Sequence, residues 1–148
     1  MDTKLQEAIQ LFTDVMIYGQ NEVFRKVENE LHREFSLEQI KMLDWLHRLG
    51  PLTSKELTEL QGTHKSATSS RLKKLLDKGY VEVAHHEQDR RVKYIDLTDQ
   101  GKKAYKKTQE QVNDYLREVL SGIKDEEIDQ FIFIFQKVKE LLKEQHDR

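Results

Sequence analysis

The stretch "KSATSSRLKKLLDKGYVEVAHHEQDRRVKYIDLT", residues 65–98, changes its hydrophobic period halfway along. Thr68, Leu72, Leu75 and Leu76 fall on one face of a helix from about Lys65 to Lys78. Gly79 then ends that helix, and the period shortens to that of a hairpin. The arms are Tyr80–His85 and Val92–Leu97, and the tip between them, "HHEQDRR", is polar throughout. No core needs two adjacent arginines led by an aspartate at such a tip. Their presence there calls for a reading in terms of function.

Two more helices precede this block. In "FSLEQIKMLDWLHRLGP", residues 35–51, Ser36 and Gln39 have the spacing of a capping box. Phe35 and Ile40 flank it as a hydrophobic staple. Gly50 and Pro51 stop the helix. The grammar repeats with Thr53 and Glu56 as a second box and Leu52 and Leu57 as a second staple. That helix is short and ends near Gly62. Three helices followed by a hairpin predict a winged helix-turn-helix, in which the third helix enters the DNA major groove and the hairpin is the wing.

Long helices are expected on either side. An N-terminal one spans roughly Lys4–Arg33, weakened locally by Gly19. Thr98 caps another from Asp99 to about Ser121, and a last one follows "KDEE" to about Glu144. The fold class is therefore mainly α with a small β-hairpin wing. The expected organisation is a DNA-binding lobe at 35–105, with 1–34 and 106–148 forming a helical dimerisation region. "FIFIF", Phe131–Phe135, is apolar on every side of a helix and so needs burial on every side. A homodimer satisfies this; an intrachain bundle is the alternative.

Charge supports the DNA reading by its distribution. The net charge is -2, yet residues 64–94 carry eight Lys/Arg against four acids. A basic middle between acidic ends is a directional signal. On the third helix Ser66, Ala67, Ser70, Lys73, Lys74 and Asp77 point away from Leu72, with Lys65 at the start and Arg71 on a flank. Small side chains at 66, 67 and 70 let a helix sit deep in a groove about 12 Å wide. The lysines and Arg71 are placed to meet phosphates. At the wing tip, Arg90 and Arg91 supply one guanidinium for a narrow minor groove and one for phosphate. Asp89 makes sense as the partner that holds an arginine or the wing backbone.

"KSATSSRLKKLLDKGYVE" and "DRRVKYIDLTDQGKKAY" resemble the MarR family of transcriptional regulators, most strongly over Pro51–Tyr105. The resemblance implies that Arg91 is the minor-groove residue and Asp89 its structural partner. It also maps "LTDQG", Leu97–Gly101, onto the junction between wing and helix. Many members carry an arginine at the position of Ser70; this chain has Arg71 instead. The resemblance further implies a dimer built from the terminal helices, a palindromic operator, usually repression, and often a small aromatic or phenolic effector. Tyr18, His32, Trp45 and His47 are the candidate effector-pocket residues, with core and surface roles as the alternative.

Other classes find little support. There is no cysteine, which excludes disulfides and thiol chemistry and suits a reducing cytoplasm. The first residues show no signal peptide, and no apolar run approaches the roughly 18 residues of a membrane span. His85, His86, Glu87 and Asp89 resemble metal ligands, but adjacent histidines on a strand point to opposite faces. No metal and no cofactor is expected, and no catalytic constellation stands out. The remaining alternative is a winged-helix protein-interaction module without sequence-specific DNA binding.

Overall fold

In the computed structural model, which describes residues 2–85 and 88–148, seven helices and a two-stranded hairpin follow one another. They are α1 (Thr3–Lys26), α2 (Glu30–Glu34), α3 (Leu37–Leu49), α4 (Ser54–Gln61), α5 (Lys65–Asp77), β1 (Val81–His85), β2 (Lys93–Leu97), α6 (Asp99–Val119) and α7 (Asp125–His146). The chain divides into two compact units, 1–113 and 114–148, with the boundary inside α6. The expected class, mainly helical with a hairpin wing, is the class observed.

The starts of α3 and α4 follow their sequence signals. The Ser36 amide donates to Gln39 Oε1 at 2.8 Å, and the Gln39 amide donates back to the Ser36 hydroxyl at 3.3 Å. Thr53 and Glu56 repeat the exchange at 3.2 and 3.1 Å. Each box satisfies two amides that a helix start leaves without partners. Gly62 closes α4 in the left-handed region, at φ 60°, and turns the chain into α5.

The first unit has one core. Leu31, Met42, Leu43, Leu46, Leu57 and Leu75 are its most deeply buried apolar side chains, joined by Phe35, Leu72, Tyr80 and Ile95. The hairpin is antiparallel, with Val81 opposite Leu97 and His85 opposite Lys93. It feeds this core from its base only, through Val81, Ile95 and Leu97, while Val83 stays exposed. Leu52 adds a further rung, exchanging backbone hydrogen bonds with Ile95 at 3.0 and 2.7 Å. The wing is thus pinned to the segment between α3 and α4.

The N-terminal segment departs from expectation. A single helix from Lys4 to Arg33 does not form; α1 stops at Lys26 and α2 begins at Glu30. Gly19 does not interrupt α1. The break comes from Asn29, whose side-chain oxygen accepts from the His32 amide at 3.0 Å and caps α2. Its amide nitrogen donates to the Thr108 hydroxyl at 3.0 Å and to Gln111 Oε1 at 2.8 Å. Asn29 is buried, so this junction is tied to α6.

The second unit comprises residues 114–148, with the end of α6, the turn at Leu120–Lys124 and α7. No residue of α7 is buried, and Phe131 and Phe133 are 58% and 64% exposed. In the first unit α1 also buries nothing. Among the described residues no helix is long and apolar enough to cross a membrane.

Gly101 allows the first turn of α6 to approach the Gly79–Tyr80 turn. A Cβ at this position would lie 2.0 Å from the Tyr80 carbonyl oxygen. Both partners are backbone and neither can rotate away. Gly101→Ala should therefore destabilise the chain by about 1–3 kcal/mol or more, read as a lowered midpoint in urea unfolding. An unchanged midpoint would show that α6 can shift at no cost.

Candidate nucleic-acid interface

The turn between α4 and α5 sets up the exposed face of α5. Thr68 is buried and its hydroxyl lies 3.0 Å from that of Thr58 on α4. Leu72 and Leu75 are buried behind it. This leaves Lys65, Ser66, Ser69, Ser70, Lys73 and Lys74 exposed, with Ala67 and Arg71 half-buried on the flanks. A helix presenting hydroxyls and ammoniums, with no bulky apolar group among them, suits a groove lined by acceptors and phosphates.

The cations on this face differ in how firmly they are held. Arg71 donates from Nη1 to Gln61 Oε1 at 2.7 Å. Lys74 donates to the Glu34 carbonyl, and its ammonium sits 5.2 Å from the centre of the Phe35 ring. It is therefore directed along the side of the lobe at the α2–α3 junction. Lys65 lies at the other end of α5, in an open cleft of about 640 Å³. Ser54, Lys55 and Glu59 of α4, its cap Thr53, and Val92 and Lys93 at the wing also line it, so one acid stands among the lysines. Lys55 is not among the candidates the sequence offers, and Lys93 enters there only as one of the eight basic residues of the middle segment. Their signal is spatial: α4, α5 and β2 bring three lysines to one cleft.

At the wing tip Asp89 grips Arg91 three ways. Its Oδ1 accepts from the Arg91 amide at 3.0 Å and from Arg91 Nε at 3.1 Å, and its Oδ2 accepts from Nη2 at 3.4 Å. The Asp89 carbonyl accepts from the Val92 amide at 3.1 Å, closing the turn. The Arg91 side chain is nonetheless 92% exposed. Arg90 is exposed, and its carbonyl lies 2.9 Å from His85 Nδ1. His86 and Glu87, two of the four residues with metal-ligand character, lie outside the described residues. Among the described residues no group of three or more His, Asp or Glu is placed to hold a metal ion.

The four candidate effector-pocket residues do not converge. His47 lines an open cleft of about 620 Å³ with Asp44, Arg48, Tyr105 and polar residues of α6, its ring 4.6 Å from that of Tyr105. Tyr18 is exposed on α1. His32 stacks on Phe24 and holds the Val27 carbonyl at 2.6 Å through Nδ1. Trp45 packs half-buried against the core.

Helix α5 behind α4, with the hairpin beside it, makes this a winged helix-turn-helix protein. A model of the MarR family matches residues 35–93. YdgG of Bacillus subtilis (strain 168), an HTH-type transcriptional regulator, is 33% identical over 144 residues, covering 96% of this chain and 95% of that protein. TcaR of Staphylococcus aureus (strain Newman), also an HTH-type transcriptional regulator, is 32% identical over 143 residues, covering 94% and 93%. Among solved structures, a MarR family protein from Bacillus stearothermophilus matches with a TM-score of 0.82 at 22% identity, over 97% of this chain and 99% of that one. FabT of Streptococcus pneumoniae, in complex with DNA, matches at 0.79 and 18%, over 95% and 99%. The chain belongs to the MarR family of DNA-binding transcription regulators.

One buried polar contact beside the lobe carries a pH signature. The Tyr105 hydroxyl donates to Asp44, which also pairs with Arg48. Burial first, then the hydrogen bond and charge of Asp44, push the Tyr105 hydroxyl well above the ordinary tyrosine value. An unfolded chain releases this proton from about pH 10, whereas the folded chain keeps it. The stability this group contributes is complete below about pH 10 and is lost as pH rises above it. Between about pH 9 and 11 the urea midpoint should fall more steeply for the parent than for Tyr105→Phe. Parallel slopes would remove Tyr105 from the account.

Proposed function

We propose that the chain is a sequence-specific repressor that binds a palindromic double-stranded DNA operator as a homodimer. The observation that carries this reading is the wing tip. Asp89 and Arg91 form an organised unit at the exposed tip of a hairpin whose adjacent helix presents serines and lysines. Residues 35–105 form the DNA-binding lobe. Ser66, Ala67 and Ser70 face the bases of the major groove. Lys65, Arg71, Lys73 and Lys74 meet phosphates. Arg91 enters the adjacent minor groove, Arg90 meets phosphate, and Asp89 supports the wing.

Two-groove reading has a geometric consequence. A helix in the major groove and a wing in the next minor groove straddle one sugar–phosphate strand. The cleft bounded by α4, the start of α5 and the wing, with Lys55, Lys65 and Lys93 around it against one acid, Glu59, suits that strand. These lysines join the phosphate contacts on the basis of position.

The homodimer reading rests on exposure. α1 bares Leu5, Ile9, Phe12 and Met16, and α7 bares Ile128, Phe131, Ile132 and Phe133, among others. That exceeds the apolar surface a soluble monomer ordinarily leaves to water. Residues 1–34 and 106–148 therefore supply the dimer interface. The protein acts in the cytoplasm, and a small aromatic or phenolic effector relieves repression. The cleft at His47 and Tyr105 offers such a molecule two rings and flanking polar groups. The dimer is checked by light scattering at micromolar concentration, where twice the chain mass is expected and the mass of one chain would refute it.

DNA binding is tested by selecting bound fragments from the source genome and then varying salt. With roughly 6–10 phosphates neutralised per dimer, affinity should fall by about 10³–10⁵ between about 50 and 200 mM salt. A flat response would favour a winged-helix protein-interaction module.

The wing variants separate structure from charge. Arg91→Ala should cost roughly 1–3 kcal/mol per half-site, with the larger loss on A·T-rich flanks. Arg90→Ala should weaken all sequences about equally. Asp89→Ala removes a negative charge beside DNA, so bulk electrostatics predicts tighter binding. The grip of Asp89 on Arg91 predicts weaker binding instead. Tighter binding by this variant in a mobility-shift titration would end the claim that Asp89 organises the wing.

A further inference from the structure

We propose that Gln61 is a positioning residue for DNA recognition, holding the Arg71 guanidinium at the flank of α5 before DNA arrives. This rests on the DNA-binding reading above.

Gln61 is the last residue of α4, and its side chain bridges two other helices. Nε2 donates to the Glu38 carbonyl on α3 at 2.9 Å, and Oε1 accepts from Arg71 Nη1 at 2.7 Å. The amide has one workable orientation. Flipped, it would set its nitrogen against the Arg71 donor and its oxygen against the Glu38 carbonyl, and both bonds would be lost. The carbonyl on α3 therefore fixes which way Gln61 presents its acceptor. A second tie holds the Arg71 backbone: Gln39 Nε2 donates to the Arg71 carbonyl at 3.4 Å. Gln39 is itself held in the capping box with Ser36. Arg71 is thus tethered at backbone and side chain to the start of α3.

The acceptor is uncharged, and that decides what the tether does. A carboxylate at this position would neutralise Arg71. An amide oxygen orients the guanidinium and leaves its full positive charge, with four of its five N–H bonds available to phosphate or base. Lys74 follows the same rule, held by the Glu34 carbonyl and the Phe35 ring and, among the described residues, by no acid. Ordering a long cation beforehand removes part of the entropy that binding otherwise costs.

The test is a double-mutant cycle on a genomic fragment selected by the full-length parent. Gln61→Leu keeps the shape and removes both hydrogen bonds. It should weaken binding by about 2- to 10-fold per half-site, the scale of immobilising one long side chain. The charge on Arg71 persists, so the slope of log affinity against log salt should not change. Arg71→Ala should weaken binding and reduce that slope by about one per half-site. In the Arg71→Ala background Gln61→Leu should have no further effect.

If Gln61 merely braces α4 against α3, its loss is the same in both backgrounds and tracks a lowered melting temperature. That result overturns the proposal while leaving DNA binding intact. Gln61→Glu gives an independent readout, because it keeps the acceptor and adds the charge. It should reduce the salt slope as Arg71→Ala does, and parental affinity with a parental slope would overturn the proposal. A parent that selects no fragment at all would overturn the DNA-binding reading and this inference with it.

Discussion

The junction between the wing and α6 fixes everything that faces outward. The Thr98 hydroxyl donates to the Gly79 carbonyl at 2.6 Å and accepts from the Gly101 amide at 3.0 Å. The Thr98 amide donates to the Tyr80 carbonyl at 3.1 Å. One residue thereby joins the end of α5, the far arm of the hairpin and the first turn of α6. The join is possible only because Gly101 lets α6 lie against the Tyr80 carbonyl. Tyr80 in turn packs edge-on against Phe35, with ring centres 5.2 Å apart. The angle between α5 and the wing is therefore set by backbone contact, which leaves less play than side-chain packing alone.

Onto that frame the chain places its cations in two different ways. Along α5, Arg71 and Lys74 are steadied by neutral oxygens and keep their charge. At the wing, Arg91 is steadied by a carboxylate that offsets its charge. The difference follows from surroundings. α5 is backed by α2, α3 and α4, whose carbonyls and glutamines act as tethers. The wing tip projects beyond the core, and among the described residues its arginine is organised locally. An aspartate two residues earlier in the turn does this through both the backbone amide and the guanidinium.

Legibility divided along the same line between local and remote contacts. Both capping boxes, the ends of α3 and α4, and the hairpin were readable because each rests on residues within a few positions of one another. The outward face of α5 was readable because its period is regular. The break at Asn29 was missed because Val23, Val27 and Leu31 continue a four-residue spacing straight through it. The better signal was a cap-forming asparagine in the middle of a supposed helix. The rung from Leu52 to Ile95, the lysine cleft and the Gln61–Arg71 bond join segments remote in sequence, and no local pattern encodes them. The resemblance alone offers Tyr18, His32, Trp45 and His47 as pocket candidates, and of these only His47 lines the cleft beside Tyr105.

On the proposed reading, in which the wing tip faces DNA, Arg91 shows why a paired cation still suits it. Its Nε and one Nη2 hydrogen face Asp89, leaving three N–H bonds on the other edge of the guanidinium. With its side chain 92% exposed, that edge meets water. A surface ion pair of this kind contributes little to stability, on the order of 0–1 kcal/mol. Its value lies in orientation, since a fork held by one edge presents the opposite edge in a defined plane. If Arg91 enters a minor groove as proposed, a wall of acceptors needs that plane, and the electrostatic potential of a narrow groove outweighs the single charge that Asp89 contributes. On that proposed reading the aspartate costs some attraction at long range and gives direction at contact, where sequence is read.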